Sequence, residues 1–95
     1  ENATSVTPTE TAADALDVKV LPNPTYSDFK VIVMSNDKTT PVTLRLADIS
    51  SKMIEVRKGI VPGQTISVGS SYMKGIYVAE LIQGDKRKVI KLIKL

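Results

Sequence analysis

Gly75-Ile76-Tyr77-Val78-Ala79-Glu80-Leu81 is the stretch that leaves this chain the fewest options. Gly75 interrupts what precedes it. Tyr77, Ala79 and Leu81 then recur at every second position, the period of a strand with one face in a core. A Gly-x-Tyr entering a late strand of a small all-β chain has a defined structural use. The ring packs inside, and the hydroxyl bonds to backbone a few residues upstream, pinning the corner between two sheets. Gly75 and Tyr77 are therefore expected to hold the fold.

The same alternation recurs along the chain. Val18 and Val20 mark a first short strand beginning near Leu16. Phe29, Val31 and Val33 share one face of a second. Val42, Leu44 and Leu46 face the core in the third, with Thr43 and Arg45 in water. Met53 to Arg57 is the fourth, with Ile54 and Val56 pointing in. Gln64 to Val68 is the fifth, with Ile66 and Val68 inward, and the Gly75 strand is the sixth. Arg87 to Leu95 is the seventh, and its phase is open: Ile90 and Leu92 lie on one side, Val89, Ile93 and Leu95 on the other. The lysine spacing there also fits a helix, but two turns are too short to hold in water, and Val89, Ile90 and Ile93 favour strand.

The connections are equally marked. Pro22-Asn23-Pro24 removes two backbone donors and fixes φ at each proline, so no ladder runs through it, and Asn23 is driven to extended geometry. Its expected role is a stiff turn that holds the fold. Asp48-Ile49-Ser50-Ser51-Lys52 closes a hairpin, with Asp48 as its fold-holding residue. Short strands with turns every 8–12 residues predict an all-β chain, an immunoglobulin-like β-sandwich of about seven antiparallel strands. Ala79 stands where an antibody domain has its second Cys, and the core Trp is missing too, so the likeness is architectural.

Composition excludes several functions. The chain has 95 residues with no Cys and no His. That removes disulfides, thiolate chemistry, the usual zinc ligands and the commonest general base. Asp17, Asp28, Asp37, Asp48 and Asp85 fall at strand ends or turns, where Asp is expected. The reading is no enzyme, no catalytic residue, no metal and no cofactor. Net charge is +3, and Lys86, Arg87, Lys88, Lys91 and Lys94 cluster near the end. No aromatic lies beyond Tyr77 to stack a base, so no nucleic acid is expected. No apolar run approaches the ~20 residues of a membrane span. Residues 1–15 are rich in Thr and Ala without periodicity, which predicts a flexible linker, with the domain over 16–95. A first residue other than Met suggests a piece of a longer protein. Asn2-Ala3-Thr4 fits a glycosylation sequon, a weak match.

Four features stand in order: Val20-Leu21-Pro22-Asn23-Pro24; Leu46-Ala47-Asp48 followed by Lys52; Gly75-Ile76-Tyr77-Val78; and Lys88-Val89-Ile90-Lys91-Leu92-Ile93-Lys94-Leu95. In this order they resemble the C-terminal sorting domain of the type IX (Por) secretion system of Bacteroidetes, type A class. The likeness spans residues 16–95. Ser51 departs from the family's usual Gly before Lys, and a left-handed turn there costs more for Ser than for Gly.

The resemblance implies a secretion signal, attached to an upstream cargo that has crossed the inner membrane. It implies recognition by the outer-membrane translocon and export through the periplasm to the surface or medium. A surface sortase commonly then removes the signal, and cleavage is expected in the arm before Leu16. The final strand admits two readings. One is an edge strand whose lysines block aggregation. The other is a docking strand added to a partner's sheet edge, with Lys91 and Lys94 supplying charge and Leu92, Ile93 and Leu95 apolar contact. The resemblance favours docking. The competing function is a generic immunoglobulin-like spacer or adhesive module, whose candidate carbohydrate contacts are Tyr26 and Tyr72.

Overall fold

The structure, a computed structural model, describes residues 16–95. The linker, the sortase cut and the sequon expected before Leu16 lie outside the described residues. Seven strands follow in order: β1 (Leu16–Leu21), β2 (Phe29–Ser35), β3 (Val42–Asp48), β4 (Met53–Ile60), β5 (Thr65–Val68), β6 (Gly75–Gln83) and β7 (Lys86–Lys94). They form a three-stranded sheet, β1-β2-β5, and a four-stranded sheet, β4-β3-β6-β7, with every strand pair antiparallel.

The core forms between the sheets from the alternating residues. Phe29, Val31 and Val33 of β2, Val42, Leu44 and Leu46 of β3, and Ala79 and Leu81 of β6 are all fully buried. Val18 and Val20, Ile66 and Val68, and Tyr77 join them. The β7 phase resolves in favour of Leu92, which is fully buried, with Ile90 packed against the core.

One expected face is reversed. Ile54 and Val56 are exposed, at 41% and 42%, rather than inward. The register explains it: Leu46 pairs with Glu55 and Leu44 with Arg57, so Glu55 and Arg57 share the core-facing side. β4 is an edge strand whose inner side reaches the rim of the opposing sheet. There polar groups find partners. Tyr72 Oη donates to Glu55 Oε1 at 2.8 Å, and Arg57 Nη2 to the Ser67 carbonyl at 3.3 Å. Burial and the Glu55 carboxylate both push the Tyr72 hydroxyl pKa well above the ordinary range.

Two turns carry backbone demands. Asp48 Oδ1 accepts from the Ser50 hydroxyl at 2.6 Å and from the Lys52 amide at 2.9 Å, and these bonds hold its carboxyl below the usual range. Ser51 in that turn has φ 71°, the left-handed conformation expected from the position. At Gly69, φ is 89° and an added Cβ would stand 2.8 Å from Phe29 Cδ2, so the residue is excluded from change by both backbone and packing.

Candidate functional site

Tyr77 makes the corner that the sequence predicts. Its Oη donates to the Met73 carbonyl at 2.6 Å, and its ring lies 4.9 Å from that of Tyr72. Gly75 opens the strand at φ 154°, a conformation open to glycine and strained for other residues. The corner places β6 in the middle of the larger sheet, and β6 presents β7 along nine register pairs from Gln83↔Lys86 to Gly75↔Lys94.

The Pro22-Asn23-Pro24 turn does more than stop β1. Both peptide bonds preceding its prolines are cis. Asn23 Nδ2 donates to the Lys91 carbonyl at 2.9 Å, and the Ile93 amide donates to Asn23 Oδ1 at 2.9 Å. Thr25 then pairs with β7 as a one-residue parallel strand. Its amide donates to the Ile93 carbonyl at 3.0 Å, and the Leu95 amide donates to the Thr25 carbonyl at 2.8 Å. The side chain of Asn23 therefore copies what the backbone of a neighbouring strand would offer, and the outer edge of Lys91–Leu95 is satisfied from within the chain. Strand addition along those residues, the mode expected for a docking strand, finds that edge occupied.

The five residues assigned to recognition divide between two faces. Lys91 and Leu95 are exposed, and Ile93 is partly exposed on the outer side of the sheet. Leu92 and Lys94 point inward and are buried, Lys94 at 6% exposure. Lys94 Nζ donates to three carbonyls. That of Gly69 is at 2.6 Å, that of Ser70 at 3.4 Å, and the third belongs to Ser27. An ammonium has three N–H donors, so the cage matches its full capacity without a carboxylate. It ties the loop after Pro24, the loop before Gly75 and the end of β7 at one point.

Sequence reasoning missed the inward roles of Lys94 and Gln83. Gln83 is 1% exposed; it accepts from Ser35 Oγ at 2.6 Å and donates to the carbonyls of Asp37 and Thr40. Parity held the signal in both cases. Gln83 continues the series Tyr77, Ala79, Leu81, and Lys94 continues Leu92. Polar side chains at inward positions imply built partners. Asp17 stands near the start of β1 and meets Lys88 of β7 at 3.5 Å. Of the adhesive candidates, Tyr26 is exposed, while Tyr72 is engaged by Tyr77 and Glu55.

A family model described as the secretion system C-terminal sorting domain matches residues 19–95. Comparison with curated proteins yields no match. The matched span covers every strand except the first residues of β1. It decides between the two functions left open: the domain is a sorting signal for type IX secretion rather than a generic spacer. The family is one of secretion signals and is not known as catalytic. Its members are carried on an upstream cargo, interact with the type IX machinery, and mark that cargo for the cell surface or secretion. The chain belongs to the C-terminal sorting domain family of the type IX secretion system.

Proposed function

We propose that the outer-membrane translocon reads the folded domain at the outward side of β7, through Lys91, Ile93 and Leu95, while Leu92 and Lys94 hold that strand from within. The observation that carries this reading is the division of faces. Lys91, Ile93 and Leu95 stay accessible on a strand whose outer edge is already bonded to Asn23 and Thr25. A rigid strand presenting a cation beside apolar side chains binds with little ordering cost, which favours recognition of side chains over capture of a loose tail. After export, a surface sortase cuts in the arm before Leu16 and the cargo is anchored or released.

The test is a reporter carried through the periplasm on the full chain, in a bacterium with this system. The wild-type fusion is expected on the surface or in the medium. A fusion with Lys91→Glu and Ile93→Glu is expected to remain periplasmic while its purified domain keeps its melting temperature within a few degrees. Equal export of both would remove the outward side of β7 from recognition. Mass spectrometry of the released cargo maps the cut, expected at or before Ala15.

A further inference from the structure

The sequence of β7 is nearly degenerate under a one-residue slip. In the observed phase Ile90, Leu92 and Lys94 lie inward; in the shifted phase Val89, Lys91 and Ile93 would. Over Val89–Lys94 each phase offers two large apolar residues and one lysine, and Leu95 would add a third apolar residue to the shifted phase. Hydrophobic patterning specifies register where one face is clearly apolar, and here it barely does. The Gly84-Asp85 turn fixes the register at the start of β7, with Gly84 at φ 63°. A single bulge further along would still reverse every later side chain. This sheet tolerates bulges: β4 takes two register shifts against β3, whereas β7 takes none over nine pairs.

We propose that Asn23, Thr25 and Lys94 form a register lock that fixes which residues of β7 face outward. Asn23 and Thr25 bond to the carbonyls of Lys91 and Ile93 and the amides of Ile93 and Leu95, all on one edge of the strand. A shift of one residue turns those groups toward β6 and breaks all four bonds. The carbonyl cage of Ser27, Gly69 and Ser70 accepts a side chain with three N–H donors at its tip. In the shifted phase Lys94 points outward, and the cage carbonyls lose it. Buried polar groups that specify register at some cost in stability have precedent in coiled coils. Lys94 is on this view a positioning residue: it acts on recognition by keeping Lys91 and Ile93 outside. The functional consequence rests on the proposed recognition side; the lock itself does not.

The absence of cysteine makes the test direct. Single cysteines are placed in the full chain at Leu92, at Ile93 and, as a control for unfolding, at core residue Val31, and their rates of reaction with a maleimide are compared. In the native background Ile93→Cys is expected to react at least ten-fold faster than Leu92→Cys, and Val31→Cys to stay shielded. Adding Asn23→Ala with Lys94→Met is expected to equalise or reverse the rates at positions 92 and 93 with Val31→Cys still shielded. An unchanged ratio would show that the turn alone sets the register, and would overturn the lock. If Val31→Cys also becomes reactive, the comparison is repeated with Asn23→Ala alone, which removes two exposed hydrogen bonds. A narrowed ratio with Val31→Cys shielded supports the lock, and an unchanged ratio refutes it. Export plays no part in this measurement, so a lock without a sorting defect would count against the recognition side only.

Discussion

The two edges of the four-stranded sheet solve one problem in opposite ways. β4 and β7 each expose one side of backbone, the usual route to unwanted strand pairing. β4 is irregular: two register shifts twist it, and Lys58 and Gly59, the latter at φ 70°, stand near its end. β7 is straight and fully in register, and its outer half is closed by Asn23 and Thr25. Both carry apolar side chains on the outer face: Ile54 and Val56 on β4, Val89 and Ile93 on β7. β4 gives the core only Ile60, its last residue, whereas β7 gives it Leu92, with Ile90 packed alongside, and carries a caged lysine at its end. An edge that needs only to be unattractive is made irregular. An edge held this straight, by contacts from three other segments, is positioned for use.

Substitutions can widen or close that difference. The largest expected effect is Leu92→Ala, which empties a fully buried site and should cost about 2–5 kcal/mol in denaturant unfolding. On β4, the outward-facing Val56→Ala should cost under about 1 kcal/mol, because the side chain is 42% exposed. Comparable costs at both edges would mean that β7 has no special hold. Next is Asn23→Ala, expected to lower stability by about 1–3 kcal/mol through two lost hydrogen bonds. It should also raise hydrogen exchange at the Ile93 amide, with core amides such as that of Val31 unchanged. Ser51→Gly is expected to act the other way. Relief of the left-handed Ser should add about 1 kcal/mol and raise the melting temperature by about 4–8 °C, a gain confined to the β3–β4 hairpin.

The smallest effect concerns pH. The Asp48 carboxyl is held below its ordinary 3.8, first by the Ser50 hydroxyl and then by the Lys52 amide. A lowered folded pKa means that the unfolded state binds the proton first, so stability falls as acid is added. The contribution is complete above pH 3.8 and is lost as the pH descends through the lowered folded value. Asp48→Asn should flatten that part of the acid unfolding curve and leave the neutral region of its slope unchanged. The bonds that Asp48 loses lie within the β3–β4 turn, apart from the Asn23, Thr25 and Lys94 contacts that hold β7, so export should be retained.

Much of this was legible in the sequence, for reasons that differ by element. Alternation with a single apolar set gave β1, β2, β3, β5 and β6 their faces, because each packs against the opposite sheet on one side. The Tyr77 contact is local, four residues separating the hydroxyl from its acceptor, so the Gly-x-Tyr spacing alone points to it. Alternation misassigns β4 because an edge strand overlies polar rim residues, so over Met53–Arg57 its apolar side is the outer one. The phase of β7 was ambiguous because both of its sides carry the same residue types. What settles it are contacts from positions 68 and 70 residues away, at Asn23, and local alternation carries no trace of those. The two prolines at Pro22–Pro24 mark a stiff turn in the sequence, while its use as a clasp for the last strand follows only from the fold.

The most direct measurement sets the two edges against each other in export. The same reporter is carried on the full chain in three forms: native, Lys91→Glu with Ile93→Glu on β7, and Ile54→Glu with Val56→Glu on β4. Surface and secreted reporter is quantified against the periplasmic pool, with the melting temperature of each purified domain as the control for folding. If β7 is the recognised edge, the β7 form stays in the periplasm and the β4 form is exported like the native chain. Retention of the β4 form with normal export of the β7 form would contradict it.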